Sequence, residues 1–165
     1  MNTNILIIST LFSGLMSGLF YSWSISVTPG LAKINDVSYL QAFQSMNRAI
    51  LNPLFFVVFF GLVILLPVLS YLSFQTSIHN QFWYVILATI FYFVGIMGVT
   101  IGGNVPLNNA LEALQIESMT PEQMAEFRKG FESKWNRLNL IRTISSFLTF
   151  LLLVIACARE FKFIN

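Results

Sequence analysis

Between Arg48 and Glu112 the chain carries no charged side chain. None precedes Lys33, and none lies between Arg142 and Arg159. A soluble fold covers much of its surface with charged and polar groups, and stretches this long leave it too few. Charged residues are 10% of the whole, against about a quarter in an ordinary soluble domain. The sequence therefore reads as an integral membrane protein. A hydrocarbon core of about 30 Å needs about 20 helical residues. Four runs meet that length: residues 5–27, 53–74, 82–102 and 140–158. They are uninterrupted and lack the ten-residue alternation of a membrane barrel. The first run has no basic residues before it and no A-x-A site, so it reads as a retained helix and not a signal peptide. The expected fold is all-α, an integral membrane four-helix bundle forming a single domain over residues 1–165.

Four spans put both termini on one side and make the two sides unequal. Spans two and three are joined by "QTSIHNQ", a tight turn, whereas residues 28–52 and 103–139 are long links on the other side. Both links read as helical. In "SYLQAFQSMNRAILNP", Tyr39, Phe43, Met46 and Ile50 share one face, and Gln44, Arg48 and Asn52 share another. Thr120, Pro121 and Gln123 have the spacing of a capping box. Phe127, Phe131, Trp135, Leu138 and Arg142 then form a stripe running straight into span four. The expectation is a helical cap of residues 37–50 and 107–137. Seven basic residues lie on the cap side and two near the C-terminus, which directs the cap to the cytoplasm by the positive-inside rule.

The formal charge of +2 is dispersed and offers no basic face for nucleic acid. One histidine, His79, and one cysteine, Cys157, are too few for a zinc, copper or di-iron centre, so no metal site is expected. Polar residues inside the spans follow helical stripes. Thr10, Gly14, Ser17, Tyr21, Ser24 and Thr28 line one face of span one; Ala88, Tyr92, Gly95, Gly98 and Gly102 line one face of span three. Small residues let membrane helices approach closely, so these faces are packing surfaces and possible oligomer contacts. Tyr21 also suits the interfacial belt.

The segment ends are different. Asn47, Arg48 and Asn52 precede span two; Asn104, Asn108 and Asn109 leave span three; Trp135, Asn136, Asn139 and Arg142 enter span four. All fall at one depth. An arginine in the hydrocarbon costs roughly 2.5–3.5 kcal/mol on insertion scales, unless it snorkels to the interface. Asparagine snorkels poorly and brings two donors and two lone pairs that need partners when buried. Asn108 and Glu112, four apart, share a face of any helix started by Pro106. The expectation is one polar floor in which Asn104 and Asn108 meet Arg48, Asn139 and Arg142, with Trp135 as an aromatic wall. The asparagines could equally be clasps that end the helices.

"YSWSISVTPGL", "AFQSMNRAILNPLFF", "GNVPLNNAL" and "WNRLNLIRT", in that order, resemble the anthrone oxygenase-like membrane family. The resemblance implies four spans and shared positions at Asn47, Arg48, Asn52, Pro53, Asn104, Pro106, Asn108, Trp135, Asn139 and Arg142. Characterised fungal members of that family convert anthrones to anthraquinones with molecular oxygen and no cofactor. The similarity to bacterial members implies a bacterial inner membrane. An anthrone is a carbon acid whose anion reacts with oxygen directly. A catalyst for it needs a base, donors for the anion and an apolar slot. On this reading Arg48, Arg142 and Glu112 are the candidate catalytic residues, Glu112 being the base. Asn47, Asn52, Asn104, Asn108, Trp135, Asn139 and Tyr21 are the candidate substrate-binding residues. The substrate is a planar aromatic, anthrone- or quinol-like. Against this stands a non-catalytic module that binds a membrane lipid, a quinone or a partner protein. A small transporter fits least, since the spans hold no acidic residue and no paired half-helices.

Overall fold

The structure, a computed structural model, describes residues 2–75 and 79–164, and every regular element among them is helical. The turn expected between spans two and three falls on residues 76–78, outside the described residues. Helix α1 runs over Thr3–Leu31, α2 over Asp36–Ile50, α3 over Pro53–Gln75, α4 over 79–112 and α5 over Pro121–Ile164. A short 3-10 turn, Ile116–Ser118, links α4 to α5. Helices α1, α3, α4 and α5 are each long and apolar enough to cross a membrane, so the chain is a multi-pass integral membrane protein. Its exposed surface agrees: Leu11, Leu54, Val57, Ile64 and Val94 are all more than 60% exposed, where lipid replaces water.

The helix starts follow from local chemistry. Asn2, Asn35 and Asn52 each cap the helix that follows by accepting backbone N–H bonds. Thr120 and Gln123 close the expected capping box: the Thr120 amide donates to the Gln123 side chain, and the Gln123 amide to the Thr120 hydroxyl. Pro29 and Pro106 each follow a π-helical turn, at Trp23–Val27 and Thr100–Asn104. A proline ring collides with the carbonyl four residues back. Those carbonyls, of Ile25 and Gly102, lie inside the widened turns, so the helices continue past proline without breaking.

The bundle closes in the order α1, α3, α4, α5, each helix packing on its neighbours and α5 returning to α1. Its core is built from Leu6, Met16, Phe59, Leu62, Leu66, Tyr92 and Leu153 among others. Hydroxyls bridge the helices: Ser70 with Thr89 at 3.0 Å and Ser24 with Thr143 at 2.8 Å. The small-residue faces are used within the chain. A Cβ added at Gly14 would meet the Phe150 ring, and one at Gly95 would collide with Ser145. The expected packing role is met at these two positions by α5, while Gly18 and Gly102 face open space.

A second apolar cluster lies beyond the bundle on the side of α2: Tyr39, Leu40, Phe43, Leu111, Met124, Phe131 and Trp135. Residues 37–50 were expected as a cap helix, and α2 matches them closely. Residues 107–137 do not form one cap segment. They divide into the end of α4, the 3-10 turn and the first third of α5, because neither span stops at the apolar boundary. Buried Tyr39 lies under the Arg128 guanidinium. Burial and the negative charge of Glu132 hold its phenol well above the usual range, against the pull of Arg128, so it stays neutral.

Candidate functional site

Between the two apolar clusters lies a cavity of about 100 Å³. Helix α1 contributes Phe20 and Trp23, the end of α2 contributes Asn47 and Ile50, and α3 contributes Phe55. Helix α4 adds Thr100, Asn104 and Asn108 from its π turn and the turn after it; α5 adds Trp135, Asn139 and Arg142. The space has room for about three waters at roughly 30 Å³ each.

Arg142 is only 7% exposed. Its Nη2 donates to Asn139 Oδ1 at 2.9 Å. The guanidinium lies 4.6 Å from the Phe20 ring centre and 5.2 Å from that of Trp135. Asn139 is held in turn: its Nδ2 donates to Ser24 Oγ at 2.9 Å. Trp135 Nε1 donates to Asn108 Oδ1 at 2.9 Å, tying α5 to α4. The Trp135 ring packs against Trp23 and Phe43 at about 5 Å.

The remaining polar atoms are not so satisfied. Both side-chain polar atoms of Asn104, the Asn47 Nδ2, the Thr100 hydroxyl and the Arg142 Nε are buried with no hydrogen-bond partner among the described residues. Each such group costs about 1–3 kcal/mol when left unmade. Native interiors rarely hold several together without a reason such as bound water, an ion or a ligand. All five atoms belong to residues that line the same cavity.

The structure thus brings together Asn47, Asn104, Asn108, Trp135, Asn139 and Arg142 of the expected site, and separates four others. Arg48 Nε pairs with Glu112 Oε1 at 2.7 Å, and their side chains are 63% and 45% exposed. Both sit outside the cavity, since their long side chains reach solvent and each other. The two arginines therefore do not converge on one floor, and Glu112 does not stand over the cavity as a base. Asn52 is spent as the cap of α3, accepting from the Phe55 amide and donating to the Ala49 carbonyl. Tyr21 is 56% exposed. One residue beyond Phe20, it turns instead to an apolar groove between α1 and α5, lined by Gly14, Gly18, Thr143 and Phe147. Thr100 and Ser24 were missed as site residues. Thr100 is a lone hydroxyl in an apolar run, and Ser24 lay on a stripe read only as packing.

Among the described residues, no group of three His, Cys, Asp or Glu side chains is placed to hold a metal. Fold and cavity define a multi-pass helical membrane protein with a small, partly open cavity, mostly apolar and edged by asparagine and arginine side chains, at one end of its bundle. A family model described as anthrone oxygenase matches residues 55–152, more than half of the chain, and the chain belongs to that family. No curated protein and no solved structure matches it. The matched stretch holds the α4 and α5 walls of the cavity; the α1 and α2 walls lie before it.

Proposed function

We propose that the cavity binds the oxygen-bearing edge of a planar aromatic, anthrone- or quinol-like, and that the chain is a cofactor-independent oxygenase or related redox enzyme working at the membrane interface. In this reading α2 and the adjoining ends of α4 and α5 act as a cap over the site. The observation that carries it is the set of unpaired donors and acceptors on residues that line one cavity, in a member of the anthrone oxygenase family. For an anthrone the balance is simple. Dioxygen reacts at the ring methylene; one oxygen atom becomes the new carbonyl, and the other leaves as water with the two hydrogens. Preorganised donors such as Arg142 and Asn104 stabilise the oxyanion formed on the way. The cavity is smaller than the roughly 300–1,000 Å³ of ordinary ligand pockets, so a three-ring substrate needs α2 to move outward.

The second reading is a binding module without turnover. It is favoured by the lining itself: no carboxylate or imidazole faces the cavity among the described residues. The two separate in one experiment. Protein in lipid nanodiscs is given anthrone and oxygen, and anthraquinone is measured. The enzyme reading expects product, with a loss of about a hundred-fold or more in Arg142→Met and little change in Lys129→Met on the exposed face. Saturable anthrone binding with no product would replace it with the binding module.

A further inference from the structure

Arg142 is a buried cation whose counter-ion is missing from the described residues. Each described acidic side chain with a recorded ion pair is committed elsewhere: Glu112 to Arg48, and Asp36 and Glu132 to Arg128. What surrounds the guanidinium is one amide oxygen, from Asn139, and two aromatic faces. These offer partial charge only. An uncompensated charge taken out of water costs several kcal/mol even after relaxation. The Nε of the same guanidinium is buried and unpaired, in a residue that lines the cavity. Asn47 and Asn104, which line the same cavity, also carry unpaired Nδ2 groups. The lining is therefore rich in donors and short of negative charge.

Resting on the reading of the cavity as a ligand site, we infer that its ligand is held as an anion, a flat phenolate- or enolate-type oxyanion, with Arg142 as its counter-ion and the Asn47 and Asn104 amides as its remaining donors. The ligand loses its proton to bulk water before it enters, because no base among the described residues lines the cavity to receive it. On α1 the facing groups are Phe20 and Trp23, on α3 Phe55, and on α4 Thr100, Asn104 and Asn108. None of these titrates near neutrality. On α2, Asn47 faces in, while Arg48 pairs outward with Glu112 of α4. The pH dependence of binding then belongs to the ligand and not to a protein base, and a neutral quinone of the same ring size is the wrong partner.

The probe is para-nitrophenol, whose phenolate absorbs visible light and whose neutral form does not, compared with neutral benzoquinone. Both are titrated into the full chain in nanodiscs of uncharged lipid across the pH range of the dye's ionisation. The expected result is that bound dye shows the phenolate band at pH values where free dye is mostly neutral. A cation within a few ångströms favours the charged form by about ten- to thousand-fold. Arg142→Met abolishes the effect, Arg142→Lys restores part of it, and Lys129→Met leaves it intact. The band is read first on the unmodified protein, so the test does not hang on a variant that misfolds. Dye bound in its neutral form, or benzoquinone bound equally well, overturns the anion while leaving the cavity as a site, provided Asn104→Leu removes the binding. Failure of the unmodified protein to bind either probe, or binding indifferent to both Arg142→Met and Asn104→Leu, overturns the site reading as well.

Discussion

The asparagines show how little residue type alone decides. Asn52 and Asn104 are both uncharged amides at a helix end near one membrane depth, yet Asn52 is consumed as a cap and Asn104 has both polar atoms unmade. The difference lies in the backbone. Asn52 precedes a helix start and finds a free amide three residues on, whereas Asn104 sits inside the continuous α4, where its neighbours' amides are already bonded. Asn104 is thus a residue kept at a cost to stability, which suggests its role. Asn104→Leu, of similar volume, is expected to raise the thermal stability of the ligand-free protein in detergent by about 1 kcal/mol or more. The same change removes binding at the cavity. A loss of stability in that variant would mean that the amide is already satisfied.

At the scale of elements, α2 is the piece to watch. It is fastened at one end by Arg128, which donates to Asp36 and to the carbonyls of Leu31, Ala32 and Ile34. Near its other end two contacts reach α4 and its following turn. Gln44 is 9% exposed, and its Nε2 donates to the Leu111 carbonyl at 2.8 Å and the Leu114 carbonyl at 3.3 Å. Arg48 and Glu112 form the exposed ion pair. Exposed pairs contribute roughly 0–1 kcal/mol; stranding buried helix-end carbonyls costs about 1–3 kcal/mol. Gln44→Ala is therefore expected to destabilise more than Arg48→Ala when unfolding midpoints are compared. The reverse order would make the surface pair the true fastening of α2.

The spans, α2, the capping box and the unbroken entry of α5 were all legible in the sequence, because each rests on local periodicity or capping. The membership of the cavity was only partly so. Gln44 lay on a polar stripe with Arg48 and Asn52, and the three now serve as a buried clasp, an exposed ion pair and a cap. Which way a side chain turns at a helix end depends on the helix packed beside it, and that information is not local. The π turns before Pro29 and Pro106, which carry Trp23, Thr100 and Asn104 to the cavity, leave no periodic trace either.

For the whole molecule, the four crossings put both termini on the side away from α2. Cysteines placed at Asn2 and Ser38, in a chain whose Cys157 is changed to serine, are expected to react with an impermeant reagent from opposite sides of the membrane. Labelling from the same side would sink the four-span arrangement. The side of α2 is expected in the cytoplasm. Of the seven basic residues there only Arg142 is withdrawn into the cavity, leaving six against two by sequence count. Reaction of Ser38→Cys from outside the cell would reverse that orientation and leave the bundle as it is.

Helix α5 has a consequence of a mechanical kind. It is a single rod of 44 residues, roughly 66 Å at about 1.5 Å per residue. One face of it buries Leu153 and Ala156 deep among the lipid-facing helices, and further along it places Arg142, Asn139 and Trp135 at the cavity. A spanning helix answers a change in bilayer thickness by tilting. A change of tilt displaces every part of a rigid rod away from its pivot, and residues 135–142, a third to half of the way along α5, form a wall of the site, hydrogen-bonded to α4 through Trp135 and Asn108. On this geometry, lipids of different length are expected to change the width of the cavity by changing the tilt of α5.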